Sequence, residues 1–310
     1  MRSAAVDVGS NTIRMLIGEV RGNSLSRLCT DRVVTRLAEG IGDSGTLREE
    51  NMKRSVSVLR SFSLIFREYG AMRIGAVGTS ALREALNSRD FLDEVFQETG
   101  TKIEIISGAK EAELTSKGVL LGFREPLAPS LIIDIGGGST EWISFDPERT
   151  GTPSYGSLDL GVIKLLERFI RADPPSELDL KALEKEIETQ LPKVGLAGKK
   201  YTSGSRAVRL VGTGGTITTL ASLDLGLATY DPSRIHMHKT DIGRLYKLKD
   251  MLVRLPLSRR MKVDGLDPGR ADLIIPGILL TIKLMEFFGF QEIIASDYGL
   301  LEGLLKEMSE

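Results

Sequence analysis

Two stretches set an aspartate two residues ahead of a cluster of small turn residues. One is Asp7-Val8-Gly9-Ser10-Asn11, and the other is Asp134-Ile135-Gly136-Gly137-Gly138-Ser139. Small residues leave successive backbone N–H groups uncovered, and such groups grip an anion such as phosphate. A carboxylate beside phosphate is unfavourable unless something compensates. A divalent cation bridging the two does so, because Mg²⁺ binds through one or two carboxylates plus phosphate oxygens. A carboxylate there also orients an attacking water. The pattern therefore predicts that the aspartate serves a metal or a water and the small residues serve phosphate. A single copy reads as a hairpin whose aspartate caps its turn. Two copies in corresponding positions favour function.

The glycines of the second copy lead into Thr140, Trp142, Ile143 and Phe145, which are strand formers, and neither copy has the lysine–hydroxyl ending of a P-loop. A third cluster, Gly212-Thr213-Gly214-Gly215-Thr216, reads differently, as strand, turn and helix. A helix start of this kind binds anions, with hydroxyls at Thr213 and Thr216, or is simply a tight βα turn.

The elements that must position these residues follow from periodicity. Residues 4–8 and 12–20 read as two strands of a hairpin. Met52, Val56, Leu59, Phe62, Phe66 and Tyr69 recur by threes and fours, which predicts an amphipathic helix over 47–70. A strand at 73–77, a helix over 80–98, a strand at 102–106 and a helix over 109–122 complete an α/β domain. Residues 123–129, with two prolines, read as a connector, and the strand–turn–strand theme restarts at Leu131. Helices near 160–171, 177–194, 215–226, 240–254 and 269–288, a strand near 292–295 and a final helix from about 300 follow. The lysine pair at 199 reads as a solvated loop. The repeated theme predicts two related domains, 1–123 and 124–298, with 299–310 returning to the first.

Composition narrows the function class. With 310 residues and a net charge of −1, the chain has no overall field for nucleic acid or anionic membrane. Only one cysteine, Cys29, is present, so no internal disulfide framework forms and no cysteine-rich zinc motif exists. No apolar leader core precedes the first strand and no apolar run reaches membrane-spanning length, which predicts a cytoplasmic protein.

The three clusters, in this order, resemble the actin-like, sugar-kinase and heat-shock ATPase superfamily, and more narrowly the exopolyphosphatase and guanosine pentaphosphate phosphatase family. AVGTSALREALNS at 76–88, IEIISGAKEAEL at 103–114, GSLDLGVIKLLERF at 156–169 and SDYGLLEGLL at 296–305 fit the same family. The resemblance implies two actin-like (ribonuclease H-like) domains with a cleft between them. It implies Mg²⁺ or Mn²⁺ as cofactor, release of terminal orthophosphate from polyphosphate or guanosine pentaphosphate, and a homodimer. By motif position it implies a first phosphate loop of Gly9, Ser10, Asn11 and Arg14 with Asp7 behind it. The second is Gly136, Gly137, Gly138 and Ser139, with Asp134 and Glu141 toward metal and water. Thr79, Ser80 and Arg83 would line the cleft, and Glu111 would activate the attacking water. Without the motif, Glu111 is an ordinary first-turn acid, worth at most about 1 kcal/mol against the helix dipole. Arg83, read in a first helical turn, opposes that dipole and so expects an anion nearby.

Departures from the family pattern are Lys110, where relatives often carry an acid, Leu301 in place of arginine, and Met237 in place of glycine between His236 and His238. The two histidines lack an evident third ligand and read as structural. Longer relatives carry a further helical C-terminal region, so short polyphosphate is the expected substrate. A small-molecule kinase of the same superfamily, or a nucleotide-binding switch protein, is the alternative from another class. Trp142 reads as packing on a sheet face.

Overall fold

The computed structural model describes residues 1–123, 128–147, 153–193 and 208–310. The expected connector at 123–129 lies partly outside them, as do Lys199, Lys200 and the end of the helix expected to 194. The chain divides into two compact units, 1–124 with 298–310, and 125–297.

The first unit is built on a five-stranded sheet. Its strands are β1 (Ser3–Val8), β2 (Thr12–Arg21), β3 (Ser24–Val34), β4 (Arg73–Gly78) and β5 (Ile103–Ile105), in the order β3-β2-β1-β4-β5. β1 is antiparallel to β2 and parallel to β4. Successive side chains of a strand point to opposite faces, so one face carries Ala4, Val6, Val8, Ile13, Met15 and Ile17. These pack with Leu59, Phe62 and Phe66 of the helix Glu49–Glu68. The other face carries Ala5, Leu16 and Val77, packed with Leu114 of the helix Gly108–Gly122 and Leu304 and Leu305 of the helix Leu300–Ser309. Asp7 and Arg14 fall in the register of that second face and lie directly opposite each other. Leu301 is buried in the same apolar cluster.

The second unit has six strands: β6 (Ser130–Ile135), β7 (Thr140–Phe145), β8 (Ser154–Leu158), β9 (Arg209–Thr213), β10 (Lys239–Asp241) and β11 (Glu292–Ala295), in the order β10-β11-β9-β6-β7-β8. β6 is buried throughout, as expected of a central strand covered on both faces. Leu131, Ile133 and Ile135 join Leu220, Ile278, Leu279 and Ile282 in one large core. Trp142 packs on its edge.

Several expected elements differ. The helix expected over 80–98 is two helices, Ser80–Glu84 and Ser88–Thr99. It breaks because Asn87 turns its side chain to Leu47, accepting from the Leu47 N–H at 2.8 Å and donating to the Leu47 carbonyl at 3.0 Å. A helix cannot continue through a residue held from another segment while Ala85 is extended. The helix expected over 240–254 begins as strand β10 and is helical only over Ile242–Leu252. That expected over 269–288 is a short 3-10 turn, Pro268–Arg270, then the helix Ile274–Phe288. β3 and β8 are additional edge strands. Their side chains are mostly exposed or half-buried, so neither carries a strong apolar alternation.

Candidate functional site

The two hairpins are the same device built twice. β1 and β2 pair Asp7 with Arg14, and β6 and β7 pair Asp134 with Glu141 in the same register. In each, the first turn glycine donates to the carbonyl three residues on: Gly9 to Thr12 at 3.2 Å and Gly136 to Ser139 at 2.9 Å. A Cβ on either glycine would sit 3.0 Å from that same carbonyl oxygen, so both turns favour residues without one. Between these fixed points, the N–H groups of Ser10 and Asn11, and of Gly137 and Gly138, meet no acceptor among the described residues. Two successive uncommitted N–H groups form the nest that anions occupy.

Charge separates the copies. In the first, Arg14 donates through Nε (3.0 Å) and Nη2 to Asp7 Oδ2. Asp7 Oδ1 and Asn11 Oδ1 are buried and have no hydrogen-bond partner among the described residues. In the second, Glu141 stands opposite Asp134, two acids where the first copy has a matched pair. Two carboxylates directly across a strand pair repel each other when both are ionised. Both are buried, and Ser157 donates to Glu141 Oε1 at 2.7 Å.

These residues fit a hard divalent cation. Carboxylate oxygens are its preferred donors, and Asp7 Oδ1 is a buried acceptor with no hydrogen bond among the described residues. Among the described residues no group of three or more histidine, cysteine or acidic side chains forms a closed metal cage. Mg²⁺ does not require one, since substrate oxygens and waters complete its shell. His236 and His238 are engaged elsewhere. His238 Nε2 meets Asp224 Oδ2 at 2.7 Å, and His236 Nδ1 accepts from the Asp297 N–H.

Glu111 occupies the first turn of the helix Gly108–Gly122, whose N-cap Ser107 accepts from the Lys110 N–H at 3.1 Å. It is buried and meets Arg83, whose Nη1 donates to Glu111 Oε2 at 2.8 Å and to the Ile106 carbonyl at 2.9 Å. Nε and Nη2 of Arg83 make no hydrogen bond among the described residues, leaving three N–H groups for an anion. The expected position of Arg83 needs correction. Its helix is only five residues long, so Arg83 lies in the last turn, and the anion it meets is Glu111. Thr79 and Ser80 are buried at the end of β4, where the Thr79 N–H donates to the Val8 carbonyl at 3.3 Å and Ser80 Oγ donates to Glu84. Lys110 does not face Glu111. Its Nζ bonds Glu307 at 2.6 Å and Glu113 at 3.2 Å, tying its helix to the C-terminal one.

The third cluster opens the helix Gly214–Leu225. Gly214 has φ +84°, and a Cβ there would lie 2.3 Å from Asp134 Oδ1. The cluster thus shapes the place of Asp134. Gly212 sits in β9, and Thr213 pairs in register with Asp134. Thr216 Oγ1 donates to the Ile135 carbonyl at 3.4 Å. The loop 136–138 is held from the other side by the helix Val162–Phe169, with Val162 N–H donating to Gly136 and Ile163 N–H to Gly137. Arg270 was not signalled by any motif. Its guanidinium lies against Gly215, at an atomic spacing that a Cβ on Gly215 would reduce to 1.9 Å. A cation at a helix N-terminus opposes the dipole.

A chain of two α/β units, each with an acid-bearing antiparallel hairpin leading its sheet, has the actin-like phosphotransfer fold. Residues 16–310 match the model of the Ppx/GppA phosphatase family, and the chain belongs to that family. It is similar to exopolyphosphatase 2 of Mycobacterium tuberculosis, with 30% identity over 98% of this chain and 97% of that protein. Among solved structures, the Aquifex aeolicus PPX-GPPA enzyme matches with TM-score 0.81 and 32% identity, covering 100% of this chain and 99% of that one. An exopolyphosphatase from Cytophaga hutchinsonii matches with TM-score 0.88 and 28% identity, covering 99% and 97%.

Proposed function

We infer that the chain is an exopolyphosphatase-type phosphohydrolase that releases terminal orthophosphate from inorganic polyphosphate. The observation that carries this reading is the repeated hairpin, with two uncommitted N–H groups in each turn and its charged pair altered from Asp7–Arg14 to Asp134–Glu141. The N–H groups of Ser10, Asn11, Gly137 and Gly138 bind phosphate oxygens, and the third cluster supports the second loop, with Thr216 Oγ1 donating to the Ile135 carbonyl. Arg83 keeps one nitrogen on Glu111 and offers Nε and Nη2 to the developing charge. Glu111 takes a proton from the attacking water, and Arg83, itself held by the Ile106 carbonyl, fixes the direction of that carboxylate. Asp134 and Glu141 on one hairpin, and Asp7 on the other, are the carboxylates that would bind Mg²⁺ or Mn²⁺, which would neutralise charge on phosphate oxygens. The reading includes a cytoplasmic homodimer. Sedimentation tests the assembly, and cell fractionation tests the location.

The test is orthophosphate release with Mg²⁺ from short-chain polyphosphate, guanosine pentaphosphate and ATP in parallel. Guanosine pentaphosphate ends in the same phosphoanhydride and is the alternative substrate. Release that collapses in Glu111→Ala while substrate still binds supports the reading. Silence on all three with ATP bound favours a kinase or a nucleotide switch. Metal binding has its own test, in which Mn²⁺ affinity measured by water-proton relaxation falls in Asp134→Asn.

A further inference from the structure

We propose that Asn51 is a positioning residue for the first phosphate loop, acting through the segment Thr35–Ala38. The loop's phosphate role rests on the reading above, whereas the brace itself does not.

Asn51 lies in the first turn of the helix Glu49–Glu68 and is only 1% exposed. Its Nδ2 donates to the Arg36 carbonyl at 2.9 Å, and its Oδ1 accepts from Arg54 Nη2. Arg54 Nε donates in turn to the Thr35 carbonyl at 2.9 Å. The far side of the same segment holds the loop. Thr35 and Arg36 N–H groups both donate to the Asn11 carbonyl, and the Ala38 N–H donates to the Ser10 carbonyl, each at 2.9 Å.

Within a trans peptide the carbonyl of one residue and the N–H of the next point in opposite directions. Pinning the Ser10 carbonyl from behind therefore aims the Asn11 N–H away from the brace, and Asn11 N–H is one of the uncommitted donors. The brace holds an unfavourable backbone. Arg36 has φ +52°, in the left-handed region that residues other than glycine seldom adopt. The bond from Asn51 to the Arg36 carbonyl keeps that conformation in place. No sequence motif signals this role, since Asn51 reads only as a polar residue on a helix.

The test places Asn51→Ala in the wild-type chain and in an Arg36→Gly background. Glycine accepts positive φ without help, so the second background should not need the brace. Two readouts apply: deuterium uptake across residues 9–14 of the substrate-free protein, and KM and kcat for phosphate release from short-chain polyphosphate. In the wild-type background we expect exchange to rise and KM to rise about five- to tenfold, the scale of one lost hydrogen bond, with kcat within about twofold. In the Arg36→Gly background, the further change from Asn51→Ala should stay under about twofold. Equal penalties in both backgrounds would make Asn51 a mere support of its helix and overturn the proposal, as would unchanged exchange. If Asn51→Ala does not fold, Asn51→Asp keeps the acceptor for Arg54, loses the donor to Arg36 and carries the same expectations. A wild type that releases no phosphate would end the functional reading, while the exchange measurement would still decide the brace.

Discussion

Replacing Gly214 by alanine separates backbone strain from the placement of Asp134. Gly214 has φ +84°, where a side chain costs about 1–2 kcal/mol. Its Cβ would also come within 2.3 Å of Asp134 Oδ1 and 3.3 Å of the Ile135 carbonyl oxygen. Restoring ordinary contact requires the carboxylate to retreat by about 1 Å, and a displacement of that size at a reacting centre costs about 100-fold in rate. The expected result for Gly214→Ala is a stability loss of about 2 kcal/mol and a fall in kcat of about 100-fold. Gly226 provides the control, at the other end of the same helix. It has φ +60°, and a Cβ there would meet nothing within 4 Å, so Gly226→Ala carries the strain without the collision. It should lose about 1 kcal/mol of stability and keep its kcat. Urea unfolding and steady-state phosphate release measure both variants. Equal kcat values for the two would refute the claim that Asp134 acts from the position Gly214 leaves open.

Two further outcomes follow from the first unit. Glu111→Gln keeps an oxygen for Arg83 but cannot take a proton, so kcat should fall about 10²- to 10⁴-fold with KM changed little, measured by the same release assay. Burial opposes ionisation of Glu307, but hydrogen bonds from Lys110 and Lys117 outweigh it and hold its carboxyl below the usual range. A depressed carboxyl contributes stability above its unfolded value of 4.5 and loses it as the pH falls through the folded value. Glu307→Gln should therefore be less stable than wild type at pH 7, by no more than about 1 kcal/mol because the pair is partly exposed. That difference should vanish under acid and shrink in high salt, as calorimetry across pH would show.

The α/β class was legible because β-branched and aliphatic runs, broken by small residues, announce both hairpins. The buried strand β6 and the threes-and-fours spacing of the helix Glu49–Glu68 were equally plain. Edge strands β3 and β8 were not, because a strand with a mostly exposed surface needs little apolar patterning. The helix break at Ala85–Asn87 was hidden for another reason. It depends on Leu47, forty residues away in sequence, and no local propensity encodes that partner. The candidate site divides in the same way. The glycine turns are local and readable, whereas the Arg83–Glu111 pair, the turn of Lys110 toward Glu307 and the seat of Arg270 on Gly215 exist only once distant segments pack.

The most direct test of the central claim is hydrolysis of short-chain polyphosphate in heavy-oxygen water, with released phosphate and remaining chain analysed separately by mass spectrometry. Water attack at the terminal phosphorus places one heavy oxygen in each orthophosphate released in a single turnover and none in the shortened chain. Label in the shortened chain, or phosphate that appears only when an acceptor molecule is supplied, would contradict terminal hydrolysis by water.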